Sequence, residues 1–391
     1  MADDEFPLMQ FLRQGFDPVA ELGRIRSEQP VFPMRMPDGS TVWLVTRYDD
    51  VRAVLGDAAR FSNDFANVIA AGANQEDPGG LGFRDPPEHT RLRRLLTPEF
   101  TMRRLRRLDG SIQKIVNDHL DAMEQAGREA DLVQSFALPI PSLVVCELLG
   151  VPYGDRSDFL RMSADRFDLS AGPEASIQAV NDSITYLTDL VAKERANPGD
   201  GLLGTLLREH GDEVSDRELA GLADGLLTGG HDTSTSMLAL GTLWLLDNPE
   251  QAALVRDTDD HVDKVVEELL RYLTVVQVAF PRFAREDLVL AGQPIAKGQM
   301  VLCSLTAANR DPALGTDMDL AVPGRKVSPH VAFGHGIHRC IGAPLAQMEM
   351  RIAFPALLRR FPGLRLAVPF EQLAFREISI VYGLDSLPVA W

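Results

Sequence analysis

The chain has 391 residues, 45% hydrophobic and 24% charged, with 39 basic against 56 acidic side chains and a formal charge of −17. That is a globular composition, which excludes disorder as the default state, and the negative balance excludes nucleic acid as an expected partner because phosphates need a basic surface. An acidic N-terminus without a basic start excludes a signal peptide, no apolar run reaches the roughly 18 to 20 residues of a spanning helix, and three scattered cysteines without CxxC spacing exclude a disulfide framework and fit a reducing cytoplasm.

In chain order, VFPMR and TVWLV flank Pro37-Asp38-Gly39 within residues 30–46 and predict a β-hairpin. Residues 64–88 are rich in Gly, Ala, Asn and Pro and lack periodicity, which predicts a long loop of the functional kind. Residues 89–270 are mostly helical, with apolar positions three and four apart and helix stops at Gly127, Gly150 and Asn197-Pro198-Gly199. Within them, 216–247 is apolar nearly all round, so it predicts a long central helix buried on most sides. From 275 the pattern turns to strands in VVQVAF, DLVLAG and QMVLCSL, followed by a loop, a helix from about Gly342 to Phe361, and strands in ISIVYG and SLPVAW. The expected architecture is mainly α with a smaller β region, in which strands from the two ends pair into one sheet, and the whole of 1–391 forms a single domain.

The stretch from Phe333 to Gly342, FGHGIHRCIG, places Gly334, Gly336 and Gly342 around Cys340 just ahead of a helix. Glycine lets the backbone turn sharply and approach something flat and close. A thiolate beside a helix N-terminus is stabilised by free N–H groups, and it is a strong donor to haem iron. Cys146, in an apolar helix, and Cys303, in a strand, read as buried core thiols, a role that needs no such glycine density.

Gly229-Gly230-His231-Asp232-Thr233 lies in the middle of the central helix. Each glycine costs a helix interior roughly 1 kcal/mol relative to alanine, so the pair predicts a groove where a ligand lies against the backbone. Thr233 is placed to bond back to the Gly229 carbonyl, and Asp232, ionisable in an apolar segment, needs a partner or a function.

Phe333 to Gly342 matches every fixed position of the haem-binding loop of the cytochrome P450 superfamily, and the likeness runs over essentially the whole chain. It most resembles soluble actinobacterial enzymes of natural-product metabolism. The resemblance implies the cytochrome P450 fold, a b-type haem (iron protoporphyrin IX) with Cys340 as its axial ligand, and Phe333 and Gly229 lying against it. It implies that Asp232 and Thr233 form the acid–alcohol pair, Thr233 ordering the water chain that delivers protons during oxygen activation and Asp232 feeding it from solvent. Glu268 and Arg271 resemble the family's buried ExxR pair, with Arg325 as third member. His89, Arg93, Arg282 and His338 match positions that hold haem propionates in similar proteins.

The implied activity is that of a monooxygenase, hydroxylating or epoxidising a bulky, largely hydrophobic natural product such as a macrolide, polyketide, terpenoid or steroid. Oxidative cross-linking or hydroxylation of a carrier-bound peptide or aromatic substrate is the alternative, and a haem sensor without turnover is disfavoured by the Asp232-Thr233 pair. The expected pocket wall is the 64–84 loop, Leu226, Gly229, Thr233, Val276 to Ala279 with Gln277 as its polar handle, and Ile380 to Val381. No chain is left over for a flavin or nicotinamide domain, so electrons are expected from a separate ferredoxin and ferredoxin reductase. Arg91, Arg94, Arg103, Arg104, Arg106 and Arg107 are the candidate docking patch. No membrane association is expected, and the state is expected to be monomeric.

Overall fold

A computed structural model describes residues 11–36, 39–64, 80–156, 173–325 and 329–391. The helices are α1 (Ala20–Glu28), α2 (Tyr48–Gly56), α3 (Glu88–Leu96), α4 (Asp109–Ala126), α5 (Pro139–Leu149), α6 (Pro173–Ala196), α7 (Leu202–His210), α8 (Asp216–Asp247), α9 (Pro249–Asp257), α10 (Asp259–Leu273) and α11 (Ala343–Arg360), with single turns between some of them. The fold is mainly helical, as expected. Gly127 and Gly150 follow α4 and α5 directly, both at positive φ, where a residue without Cβ is favoured.

The central helix α8 starts at a capping box: Ser215 accepts from the Glu218 N–H, and the Glu218 carboxylate accepts from the Ser215 N–H at 2.9 Å. From there 32 residues run to Asp247, about 48 Å at 1.5 Å per residue. Its apolar side chains join one buried cluster that extends from Leu92 to Val389. α8 crosses α11 closely: a Cβ at Gly241 would lie 2.5 Å from the Phe354 ring, so this glycine is required by packing.

The strands are β1 (Val31–Arg35), β2 (Thr41–Val45), β3 (Phe61–Ser62), β4 (Glu129–Asp131), β5 (Arg282–Ala284), β6 (Leu288–Leu290), β7 (Gln293–Ile295), β8 (Met300–Cys303), β9 (Arg365–Leu366) and β10 (Pro388–Ala390). The hairpin β1–β2 is as expected, and β2 pairs in parallel with β8, so the N-terminal strands do join later ones in the sheet β1-β2-β8-β5-β3. The strand in SLPVAW does not enter that sheet. It forms β10, in a separate sheet β4-β10-β9. VVQVAF is not a ladder strand either, for only Val276 and Val278 make single bridges, to Val381 and Ser304. The apolar run there reflects burial of Val275 and Val278, with Val276 and Ala279 half-buried. The long loop expected at 64–88 lies outside the described residues over 65–79.

Candidate active site

The cysteine loop is held by its own backbone and by α2 and α3. Cys340 N–H donates to Phe333 O at 2.9 Å, Gly334 N–H to Val331 O at 2.8 Å, and Arg339 N–H to Gly336 O at 3.1 Å. Gly334 and Gly336 have φ of 69° and 73°, and a Cβ at Gly336 would run into the Leu55 carbonyl at the end of α2. Arg93, from α3, donates to the Arg339 carbonyl at 2.6 Å. The loop delivers Cys340 to the N-terminus of α11, where the Gly342 and Ala343 N–H groups bond its sulfur. Cys340 is exposed as a residue. Burial pushes this thiol up, opposed by those N–H groups, Arg93 and Arg339. Cys146 and Cys303 are buried in apolar surroundings and pushed up to about 12.

Beside the loop, four basic groups crowd together. The His89 and His338 rings stand 4.1 Å apart between centroids. Arg282 is buried and donates to the Asn63 side chain and to Phe280 O at 2.9 Å. Burial comes first in lowering His338 to about 3, followed by repulsion from His89, Arg282 and Arg93. His89 is lowered likewise by burial, then by Arg93, with Arg282 adding to it and Asp85 opposing. Among the described residues, neither ring nitrogen of buried His89 has a hydrogen-bond partner. Two arginines and two histidines gathered in a largely buried place fit an anionic group held there, whose charge would offset the burial and repulsion that lower the histidines. The carboxylates of a haem, with Cys340 for its iron, have the chemistry this donor set requires.

In the middle of α8, Gly225 and Gly229 form an exposed stripe, with Leu226, Thr228, Gly230, Asp232 and Thr233 half-buried beside it. A Cβ at Gly225 or Gly229 would meet nothing within 4 Å, whereas at Gly230 it would meet Val145 at 3.0 Å. Gly230 therefore serves packing, while Gly225 and Gly229 keep a face open. Gly225 is not in the sequence-derived wall, although its i, i+4 spacing from Gly229 was the available signal. Thr233 Oγ1 donates to Gly229 O at 2.6 Å, the back-bond expected. Asp232 has its partner: Arg376 Nη1 lies 2.5 Å from Asp232 Oδ1, a contact between residues 144 apart that no local pattern announces.

Gln277 is not an open polar handle. It is 1% exposed, and its Nε2 donates to Ser379 O at 2.7 Å, leaving only Oε1 without a partner. Phe83 and Phe280, both exposed, pack edge to face at 4.9 Å. Arg325 Nε reaches Glu268 Oε1 at 3.3 Å, so Arg325 does join the Glu268–Arg271 pair.

The arginine-rich stretch is largely ion-paired. Arg91 pairs with Glu218, Arg94 with Glu213, and Arg104 and Arg107 with buried Glu99. Arg103 and Arg106 are exposed, with no ion pair among the described residues.

Glu349, on α11, is 3% exposed and pushed up to about 8 by burial, which the Ser234 hydroxyl on α8 only partly offsets. The folded state thus keeps a proton that the unfolded chain releases above its ordinary value of 4.5. Stability from this group falls as pH rises between those values and is level above them. Glu349→Gln is expected to gain stability relative to wild type across that window in denaturant titrations. Parallel pH profiles for the two proteins would refute this.

The cytochrome P450 family model matches residues 26–197 and 189–364. The chain belongs to the cytochrome P450 family. Cytochrome P450 165B3 from Amycolatopsis orientalis is 43% identical over 100% of both chains. The mycinamicin IV hydroxylase/epoxidase of Micromonospora griseorubida is 40% identical over 94% of both. Among solved structures, OxyC, a P450 implicated in an oxidative C–C coupling reaction during vancomycin biosynthesis, aligns with a TM-score of 0.90 at 42% identity, covering 99% of this chain and 97% of that one. This P450 is accordingly a haem monooxygenase that works with O2 and redox partners. No helix among its described residues is long and apolar enough to cross a membrane.

Proposed function

We propose that this P450 oxidises a bulky, largely apolar natural product, with Cys340 as the haem ligand. The observation that carries the cofactor assignment is Cys340 at the mouth of α11 beside the four crowded basic groups. A b-type haem fits them: Arg93, Arg282, His89 and His338 would hold its propionates, arginine gripping carboxylates through two donors, and Phe333 and Gly229 would lie against the ring. When bound, haem supplies oxygen activation, with one atom passing to the substrate and the other leaving as water. The protein's own part is to exclude bulk water, orient the substrate and move protons. Thr233 holds a hydroxyl on the open stripe of α8, and Asp232 is the adjacent ionisable group; we assign them to proton delivery.

Gly225 and Gly229 leave room among the described residues rather than filling it, which supports a bulky ligand. A second reading, oxidative coupling of a carrier-bound aromatic peptide, is favoured by the likeness to OxyC. Electrons would come from a separate ferredoxin and its reductase, with exposed Arg103 and Arg106 as the free cations of the docking stretch. We also read the whole chain as one domain, supported by the large cluster from Leu92 to Val389 and by the pairing of N-terminal β2 with β8.

The test is turnover with ferredoxin, reductase and NADPH, offering macrolide lactones in one arm and carrier-bound aromatic peptides in the other. A product heavier by one oxygen atom supports insertion, and one lighter by two hydrogen atoms supports coupling. With the accepted substrate, Thr233→Ala should keep haem and substrate binding while product per NADPH falls about tenfold or more and hydrogen peroxide rises. Unchanged product per NADPH would leave Thr233 only a helix-bending group.

A further inference from the structure

We propose that Arg376 is a positioning residue for Asp232, tying the proton-delivering carboxylate to the C-terminal hairpin that carries Ile380 and Val381. The inference rests on the assignment of Asp232 above.

The hairpin runs from Phe375 to Leu384, which bridge each other, and Arg376 N–H donates to Gly383 O at 3.0 Å. One side of it presses on α8: a Cβ at Gly383 would lie 2.5 Å from Ser236 Oγ, one helical turn past Asp232. At this place Arg376 reaches Asp232, with both side chains largely buried at 23% and 15% exposure. The guanidinium also lies 3.6 Å from Asp385, which is 64% exposed, so it is anchored from the solvent side as well.

The other side of the hairpin meets the segment expected to wall the substrate. Val381 bridges Val276, Gln277 N–H donates to Ile380 O at 2.9 Å, and Gln277 Nε2 donates to Ser379 O. The tip between these anchors exposes Ile378 and Ile380 at 55% and 59%. Ile378 has φ of 48°, a left-handed conformation rarely adopted by a β-branched residue. Such strain persists only where surrounding contacts impose it. Here those contacts are the Gln277 bonds on one flank and the Arg376–Asp232 pair on the other. A guanidinium stays protonated at all working pH values and cannot relay a proton, so Arg376 acts on Asp232 by orientation and charge alone.

The test uses the haem-loaded enzyme with ferredoxin, reductase and NADPH, and no organic substrate. It reads hydrogen peroxide formed per NADPH and the solvent isotope effect on NADPH oxidation, in wild type, Arg376→Gln, Arg376→Lys and Asp232→Asn. 4-Phenylimidazole serves as the probe ligand for the space beside the hairpin. Arg376→Gln should raise peroxide per NADPH about twofold or more, move the isotope effect toward the Asp232→Asn value, and weaken 4-phenylimidazole severalfold. Arg376→Lys should recover part of each, which a merely structural role would not predict, and it carries the test if the Gln variant fails to fold. Adding Arg376→Gln to Asp232→Asn should cause no further change in peroxide or isotope effect. If Asp232→Asn departs from wild type while both Arg376 variants match it, the positioning role is wrong. If Asp232→Asn itself matches wild type, the proton-delivery assignment falls, and this inference with it.

Discussion

Cys340→Ala should abolish the long-wavelength Soret band that marks thiolate ligation in the reduced carbon-monoxide complex. Cys146→Ala and Cys303→Ala should keep it in full. The three thiols differ in surroundings rather than in chemistry. Cys340 is the exposed one of the three and has the Gly342 and Ala343 N–H groups and Arg93 to support negative charge. The other two are sealed in apolar cores that penalise a thiolate. Alanine leaves no donor at the iron position, so the expected loss is complete rather than graded. A normal band in the Cys340 variant would overturn the ligand assignment.

Arg271→Ala should lower stability by about 3–5 kcal/mol or prevent folding, measured by denaturant titration or by soluble yield. Arg271 is 1% exposed. It bonds Glu268 through Nε at 2.9 Å and Nη2 at 2.8 Å, and it donates to Asn309 O and Met318 O at 2.8 Å and Leu320 O at 2.7 Å. Truncation removes the side-chain donor to the Asn309 and Met318 carbonyls and leaves the Glu268 charge buried with Arg325 as its remaining cation. Arg271→Lys should fail to rescue, since one ammonium cannot present the planar fork that meets all these acceptors. A stable Arg271→Ala protein would show that the loop over 309–325 is held by other means.

What could be read in advance follows the range of the interaction. The Cys340 loop, the Thr233 back-bond to Gly229 and the ends of α8 are decided by residues within a few positions of each other, and all were legible. The Arg376–Asp232 pair joins positions 144 apart, and Gln277 spends its amide on Ser379, 102 residues away. Side-chain pairing at that distance has no periodic signature. The ion pairs of the arginine stretch are long-range as well: Glu99 lies close by in sequence, but Glu209, Glu213 and Glu218 arrive from α7, the turn after it and α8. VVQVAF was read as a strand because burial on two faces writes the same apolar run as a sheet.

The parallel register of β2 on β8 has a consequence for how the chain is made. Val42 lies beside Met300 and Trp43 beside Val301, partners separated by about 250 residues. At ribosomal rates of roughly 5–20 residues per second, the β1–β2 hairpin leaves the ribosome roughly 10–50 s before its neighbour exists. Through that interval β2 offers an unpaired edge bearing Val42, Trp43, Leu44 and Val45, a template for pairing with another nascent chain. Yield of active protein should therefore depend on how crowded synthesis is, even though the finished sheet covers that edge completely.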